Sequence, residues 1–388
     1  MQTQKTSRAR LTAVAVFPPN SFLENLAVRA DGSILVTEIL QHQLWYVPPP
    51  AEGVPAEPVP VHTFDQFTMG IVEAGPDVFY VNTSDPFTTH RSFLHRLDLR
   101  HWDPGEPARA ETILEFPGRA GGLNGSCLLA PGVMVLADSL AGLIWRVDLP
   151  AGGGPATARV WLEHDSLAAD PGGAPVLGVV PHQPGVNGVR YAARTGCLYY
   201  TSTGQQLFMR VPVHPGTHDP AGAPEFVAGG TMADDFCLDE DAGVAYVTTH
   251  RHNTIDRVPL QPGGSGTRQI VAGDPFDEQL AGPSSAAWGR RPGDCGRVAY
   301  VTSDGGLVAP PADGIVRRAK LLRAELPTTG PPDTTRAPAQ TMADGARTRR
   351  RTQPRRHVPA PAIPAAPERM INQLANPVAR SFSSLNET

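Results

Sequence analysis

The sequence predicts an all-β chain folded as a six-bladed β-propeller with a disordered C-terminal tail. Three observations carry that expectation. One pattern of segments returns six times along the chain. Apolar residues alternate at period two or run continuously, with no helical three-four spacing over long windows. Gly (39) and Pro (41) are abundant, as in a chain that turns every few residues.

The first unit is "ENLAVRADGSILVTEILQHQLWYV", from Glu24 to Val47. Two short strands flank Asp31-Gly32, a pair suited to the tight turn of a β-hairpin. The second unit runs from Met69 to Leu99 and the third from Leu123 to Leu149. The fourth spans Val186 to Val213, the fifth Ala233 to Leu260, and the last starts at Pro283 and continues to Leu326. In each, a polar or small residue precedes a short strand. A Gly-containing turn and a strand such as "VFYVN", "VMVLAD" or "VAYVTT" follow, then a loop and a third strand such as "LWYV" or "LIWRVDL". A repeat of roughly 45 to 65 residues suits four strands per blade, the fourth lying in the variable connector. Closing six blades into a ring leaves only short, protected edges. A β-sandwich fits less well, because the six units share one internal order. A flexible N-terminus is expected over 1–14, the propeller over 15–326 and a disordered tail over 327–388.

The tail is rich in Pro, Ala, Thr and Arg and has little to bury against the entropy of ordering it. Its basic cluster, Arg347, Arg349, Arg350, Arg351, Arg355 and Arg356, reads as a solvated segment or as a localisation or anion-binding signal. A formal net charge of −5 over 388 residues argues against nucleic acid as the main partner. No window approaches 18 consecutive apolar residues, so no membrane span is expected. The apolar run Leu11 to Phe17 is short for a signal peptide, which points to a cytoplasmic protein. Oligomeric state is not legible. Cys127, Cys197, Cys237 and Cys295 lack CxxC spacing and read as small buried hydrophobes, with a disulfide left open.

In a propeller, the residues that begin each innermost strand crowd around one mouth of the central channel. Here they include Glu24, Asn124, Asn187 and Asp234. Converging oxygens, two of them anionic, suit a hard cation such as calcium, with water completing the shell. The alternative is that they hydrogen-bond one another around a water-filled pore. Loops on the same face bring Glu38, His42, Asp138, Ser139, Ser202, Gln205, Ser303 and Asp304. They also bring "THRHN", Thr249 to Asn253, with His250, Arg251 and His252, and a long Asn82–His90 segment able to act as a lid. No GxSxG, HExxH or P-loop occurs.

These residues resemble the SMP-30/gluconolactonase-like six-bladed propellers over roughly residues 15 to 326. The carriers are "LENLAV", "LNGSCLL", "VNGVRY" and "ADDFCLD". The resemblance implies a divalent metal, usually calcium, held by Glu24, Asn124, Asn187 and Asp234. Two departures stand out: Gly122 occupies the place of a substrate-binding arginine, and Asp234-Asp235 replaces Asp-Gly.

"NSFLENLAVRADGSILVTE", "TMADDFCLDEDAGVAYVTTHRHNTIDRVPL" and "SDGGLVAPPADGIVRRAKLLR" are similar to a fungal secondary-metabolite branch of that superfamily. This branch includes the hetero-Diels–Alderases of tropolonic sesquiterpene (meroterpenoid) biosynthesis. That likeness implies cycloaddition of a tropolone ortho-quinone methide with a humulene-type alkene. Met69, Phe87 or Trp288 would line a dry cavity and His250 or Arg251 would donate to the heterodiene oxygen. The alternative is a calcium-dependent lactonase or ester hydrolase in which Asp234 orients or activates water. A third reading is a propeller that binds a peptide or small metabolite without turnover.

Overall fold

The computed structural model describes residues 8–327 apart from 52, 152–153, 170–182, 263–267 and 312. Its strands form six four-stranded sheets. Blade one holds β2 (Leu23–Val28), β3 (Ile34–Glu38), β4 (Gln43–Val47) and β5 (Val59–Thr63). Blade two holds β6 (Phe67–Gly75), β7 (Val78–Ser84), β8 (Ser92–Asp98) and β9 (Ala110–Glu115). Blade three is β10 (Leu123–Ala130), β11 (Val133–Asp138), β12 (Leu143–Asp148) and β13 (Thr157–Glu163). Blade four is β14 (Val186–Ala192), β15 (Cys197–Ser202), β16 (Leu207–Pro212) and β17 (Glu225–Gly229). Blade five is β18 (Phe236–Asp239), β19 (Val244–Thr249), β20 (Thr254–Pro259) and β21 (Gln269–Gly273).

Blade six closes the ring. It joins β22 (Pro283–Trp288), β23 (Val298–Ser303) and β24 (Lys320–Glu325) to β1 (Arg10–Val16), the first strand of the chain. The register of that last pair runs antiparallel from Arg10 opposite Glu325 to Val16 opposite Lys320. Residues 10–14, expected to belong to a flexible N-terminus, are therefore part of the propeller. They pair with a strand more than 300 positions away, a contact that local composition does not reveal.

Burial explains which strands are easy to see. The second strand of every blade is covered on both faces and reads as a continuous apolar run. The outermost strands β5, β9, β13 and β17 each hold a single fully buried residue. The core is correspondingly divided. Six hydrophobic clusters lie one between each pair of neighbouring blades, as with Tyr199, Phe208 and Phe236 between blades four and five.

The Asp31-Gly32 hairpin is looser than a two-residue turn. The loop covers Arg29–Ser33, only Gly32 takes positive φ (86°), and Asp31 Oδ1 accepts from the Ser33 N–H at 2.9 Å. Cys127, Cys197 and Cys237 are buried and Cys295 is exposed, all as free thiols. No helix among the described residues is long and apolar enough to cross a membrane. Apart from Pro327, the proposed tail and its arginine cluster lie outside the described residues.

A repeated clasp fixes the inner strands. The ladder is interrupted near the start of the inner strand in blades one, two, three, four and six, and in five blades a second-strand side chain takes a backbone N–H at that level. Thr37 accepts from Asn25, Asn82 from Gly70, Thr201 from Gly188, Thr248 from Asp235 and Thr302 from Ser285, at 2.9–3.1 Å. The Thr248 hydroxyl also donates to Ser284 O in the next blade at 2.9 Å. Thr248→Val leaves those buried groups without a partner and should cost about 1–3 kcal/mol. Urea unfolding measures it, and an unchanged midpoint would show the clasp to be dispensable.

Candidate functional site

Each blade places one residue near the start of its inner strand, or just before it, at an equivalent position around the channel. Those six positions are Glu24, Met69, Asn124, Asn187, Asp234 and Ser284. The Asn124 amide is near enough to Glu24 to favour its ionised form, although their blades flank blade two. Asn187 Nδ2 donates to Asp234 Oδ1 at 2.6 Å and to Thr203 Oγ1 at 3.1 Å. Asn124 Oδ1 is buried without a hydrogen-bond partner. The four expected ligands are thus brought together, each only 4–6% exposed.

His250 and Asp304 stand close enough to this ring for their charges to act on Asp234. His250 Nε2 lies 3.1 Å from Asp304 Oδ2, and its ring stacks on Phe22 with centroids 5.5 Å apart. Asp304 also accepts from the N–H groups of Gly306 (2.7 Å) and Val308 (3.1 Å). Arg251 is exposed at the rim, where the charges of Asp234 and Asp304 reach it.

Burial, and then repulsion from Asp234 and Asp235, holds Glu24 well above the usual carboxylate range. Burial raises Asp234 to about 7 against the opposing pull of His250. Burial alone would lower His250, but the charge and hydrogen bond of Asp304 outweigh it and the imidazolium is favoured. Around this mouth the carboxylates of Glu24, Asp234, Asp235 and Asp304 outnumber the cationic groups that face them, Arg190, His250 and, at the rim, Arg251. An excess of carboxylate favours a cation, and the unpartnered Asn124 Oδ1 is a neutral oxygen beside it. No group of three His, Cys, Asp or Glu side chains arranged for a metal occurs among the described residues; the donor set here joins two carboxylates to two amides.

These shifts tie stability to pH. Without cation, native Glu24 and Asp234 hold protons that the unfolded chain has already lost, so stability falls as pH rises from about 4 through 7. The raised His250 acts in the same direction. The melting temperature in chelator should drop between pH 5 and 8, and millimolar calcium should remove most of that drop. Parallel curves with and without calcium would count against a cation at this ring.

Other expected residues have different places. Trp288 ends its inner strand at the far side from the mouth, packs edge-on against Tyr246 and donates to Leu238 O at 2.7 Å. It lines the blade interface, because a six-residue strand carries its two ends to opposite faces. Asn82–Ser84 belong to β7, which leaves a shorter loop than the Asn82–His90 lid. Asp85 ties that loop down by accepting from Phe87 N, Thr88 N and Thr89 N at 2.8–3.1 Å. Phe87 is 68% exposed at its tip, edge-on to Phe67. Glu38 and Asp138 each clasp loop N–H groups, and Gln205 holds the carbonyls of Asp165 and Ala168.

Sequence reasoning missed Leu140, Phe22 and Arg190. Leu140 lies over Gly122, where an added Cβ would meet it at 3.0 Å, so this side of the mouth is apolar. A loop leucine carries no chemical signal of its own. Far below, a cavity of about 350 Å³ opens among Glu73, Asp77 and Arg290 and touches none of the expected residues.

No protein-family model matches the chain, and no curated protein matches it. Solved structures do. A calcium-binding protein, regucalcin, from Agrobacterium tumefaciens is 16% identical at a TM-score of 0.57, over 83% of this chain and 95% of that one. A luciferin-regenerating enzyme is 13% identical at 0.54, over 82% and 95%. A putative oxidoreductase (glucose dehydrogenase) from Thermus thermophilus is 16% identical at 0.51, over 81% and 99%. At such identities the likeness is one of fold.

Proposed function

We propose that the chain is a divalent-cation-dependent enzyme that hydrolyses a lactone or ester of an apolar small molecule at the channel mouth. The carrying observation is the buried cluster of Glu24, Asn124, Asn187 and Asp234, drawn from four blades and holding an unpartnered amide oxygen. A calcium ion, when bound there, supplies Lewis-acid polarisation of a substrate oxygen. Asp234 orients the attacking water and accepts its proton. His250, kept cationic by Asp304, sets positive charge beside the oxygen that gains electron density. Phe22 and Leu140 hold the apolar body of the substrate and keep water out. The regucalcin structure, named as calcium-binding, is consistent with a cation in this fold.

The test is a panel of apolar lactones and aryl esters, assayed with calcium and with chelator. Turnover that chelation abolishes and that Glu24→Gln lacks is expected. No turnover of any member in calcium would sink the reading.

One observation favours a second reading, hetero-Diels–Alder cycloaddition of the kind implied by the fungal-branch motifs. At the Gly122 position the mouth offers Leu140 rather than a basic anchor for a polyhydroxylated substrate. A pericyclic step needs only a dry cavity and a polarised heterodiene oxygen, for which the cation or His250 suffices. Chiral LC–MS of a tropolone quinone methide with a humulene-type alkene decides it. Formation of one stereoisomer faster than in buffer supports cycloaddition, and an unchanged product ratio excludes it.

A further inference from the structure

The residues that follow the six ring positions in the chain are unequal around the channel. Blades two, three and four carry Gly70, Gly125 and Gly188, whereas blades five, six and one carry Asp235, Ser285 and Asn25. The glycines let the next blade come close: a Cβ on Gly70 would meet Asn124 O at 2.3 Å, and one on Gly125 would meet Asn187 O at 2.7 Å. A Cβ on Gly188 would come within 2.2 Å of Asp235 Oδ1 and 2.8 Å of its Cα.

Asp235 is the hub at this level. Its Oδ2 accepts from Arg190 Nη2 (2.5 Å), Ser285 Oγ (2.6 Å) and Asn25 Nδ2 (3.4 Å), and its Oδ1 accepts from the Phe236 N–H (2.8 Å). Three further blades are therefore tied to blade five through one carboxylate. Arg190 rises from lower in blade four, donates to Val189 O at 2.9 Å and lies 6.0 Å over the Phe236 ring. Its guanidinium is held on the Asp235 carboxylate, the residue next to Asp234, and the Asp235 charge acts on Glu24 and Asp234.

We propose that Arg190 and Asp235 form a charge plug that floors the cation site. The pair seals the channel and sets the electrostatic depth of the ring above it, without either residue touching the cation. This inference rests on the cation-site reading. The physical consequence is a pair of opposite signs. Neutralising Asp235 leaves an unpaired guanidinium under the ring, which repels a cation. Neutralising Arg190 leaves an additional unpaired carboxylate, which attracts one.

The experiment is calcium titration by calorimetry, with terbium luminescence as a second readout. It compares wild type, Glu24→Gln, Asp235→Asn, Arg190→Met and the Asp235→Asn/Arg190→Met double variant, each with its melting temperature in chelator. Asp235→Asn should weaken calcium at least tenfold. Arg190→Met should tighten it several-fold while lowering the melting temperature of the cation-free protein. The double variant should return within about threefold of wild type, as cancelling charges require. If wild type binds calcium and Glu24→Gln does not, but Asp235→Asn and Arg190→Met shift affinity in the same direction or not at all, the plug is overturned alone. If wild type binds neither calcium nor terbium, the cation reading falls and the plug falls with it. Should Asp235→Asn fail to fold, the sign of the Arg190→Met effect still decides.

Discussion

Glu24→Gln is expected to abolish calcium stabilisation while making the cation-free protein more stable. The two effects have one cause. Glu24 is buried among Asp234, Asp235 and Asp304 and ionises only against strong resistance. Glutamine keeps a hydrogen-bonding partner for Asn124 and removes the charge. Without cation, that relieves repulsion and desolvation that wild type meets by holding a proton. With cation, it removes one of only two anionic ligands, and affinity should fall about 100-fold or more. At a calcium concentration 100 times the wild-type Kd, binding stabilises by about 2.7 kcal/mol, and the variant should show almost none of it. Thermal melts of both proteins in chelator and in calcium measure both effects. A variant that keeps the wild-type calcium shift would place the cation elsewhere.

Removing residues 1–16 should be the most damaging truncation of the described chain. It strips β1 from blade six and bares β24 along its whole length. It also removes Val14 and Ala15 from the cluster between blades six and one, where Phe17 is fully buried edge-on to Trp45. Backbone bonds to neighbouring blades go as well, Ala9 N to Val271 O and Ala56 N to Val14 O, both 2.7 Å. The truncated chain should be recovered mainly as aggregate, because an open edge beside an apolar cluster templates association. Phe17→Ala tests the same closure in soluble protein. It should cost about 3–5 kcal/mol, with the calcium Kd unchanged, since the cluster lies behind the inner strands. A truncated protein that unfolds at the wild-type denaturant midpoint would mean that the ring does not depend on this strand.

The damage expected at β1 and the loss expected at Glu24 differ in how far the sequence announces them. Glu24, Asn124, Asn187 and Asp234 occupy the same place in four repeats, at the start of an inner strand whose partner is buried on both faces. Aligning the repeats therefore aligns the ligands, and blade order brings them to one axis. The six units, their second strands and the polar ring are legible because each depends on neighbours within one hairpin.

Other features depend on distances across the ring, which no local pattern encodes. β1 resembles a short apolar leader until Lys320–Glu325 is seen beside it. Asp235 looks like a second copy of Asp234, yet its side chain serves Arg190, Ser285 and Asn25 in three other blades. Trp288 reads as cavity lining, but the length of its strand carries it to the far face. Periodicity and repeats determined the architecture and the ring, because hydrogen-bonded ladders act locally. Tertiary closure alone decided which strand completes blade six and which charges meet under the ring, because those contacts join residues that only the shared axis brings together.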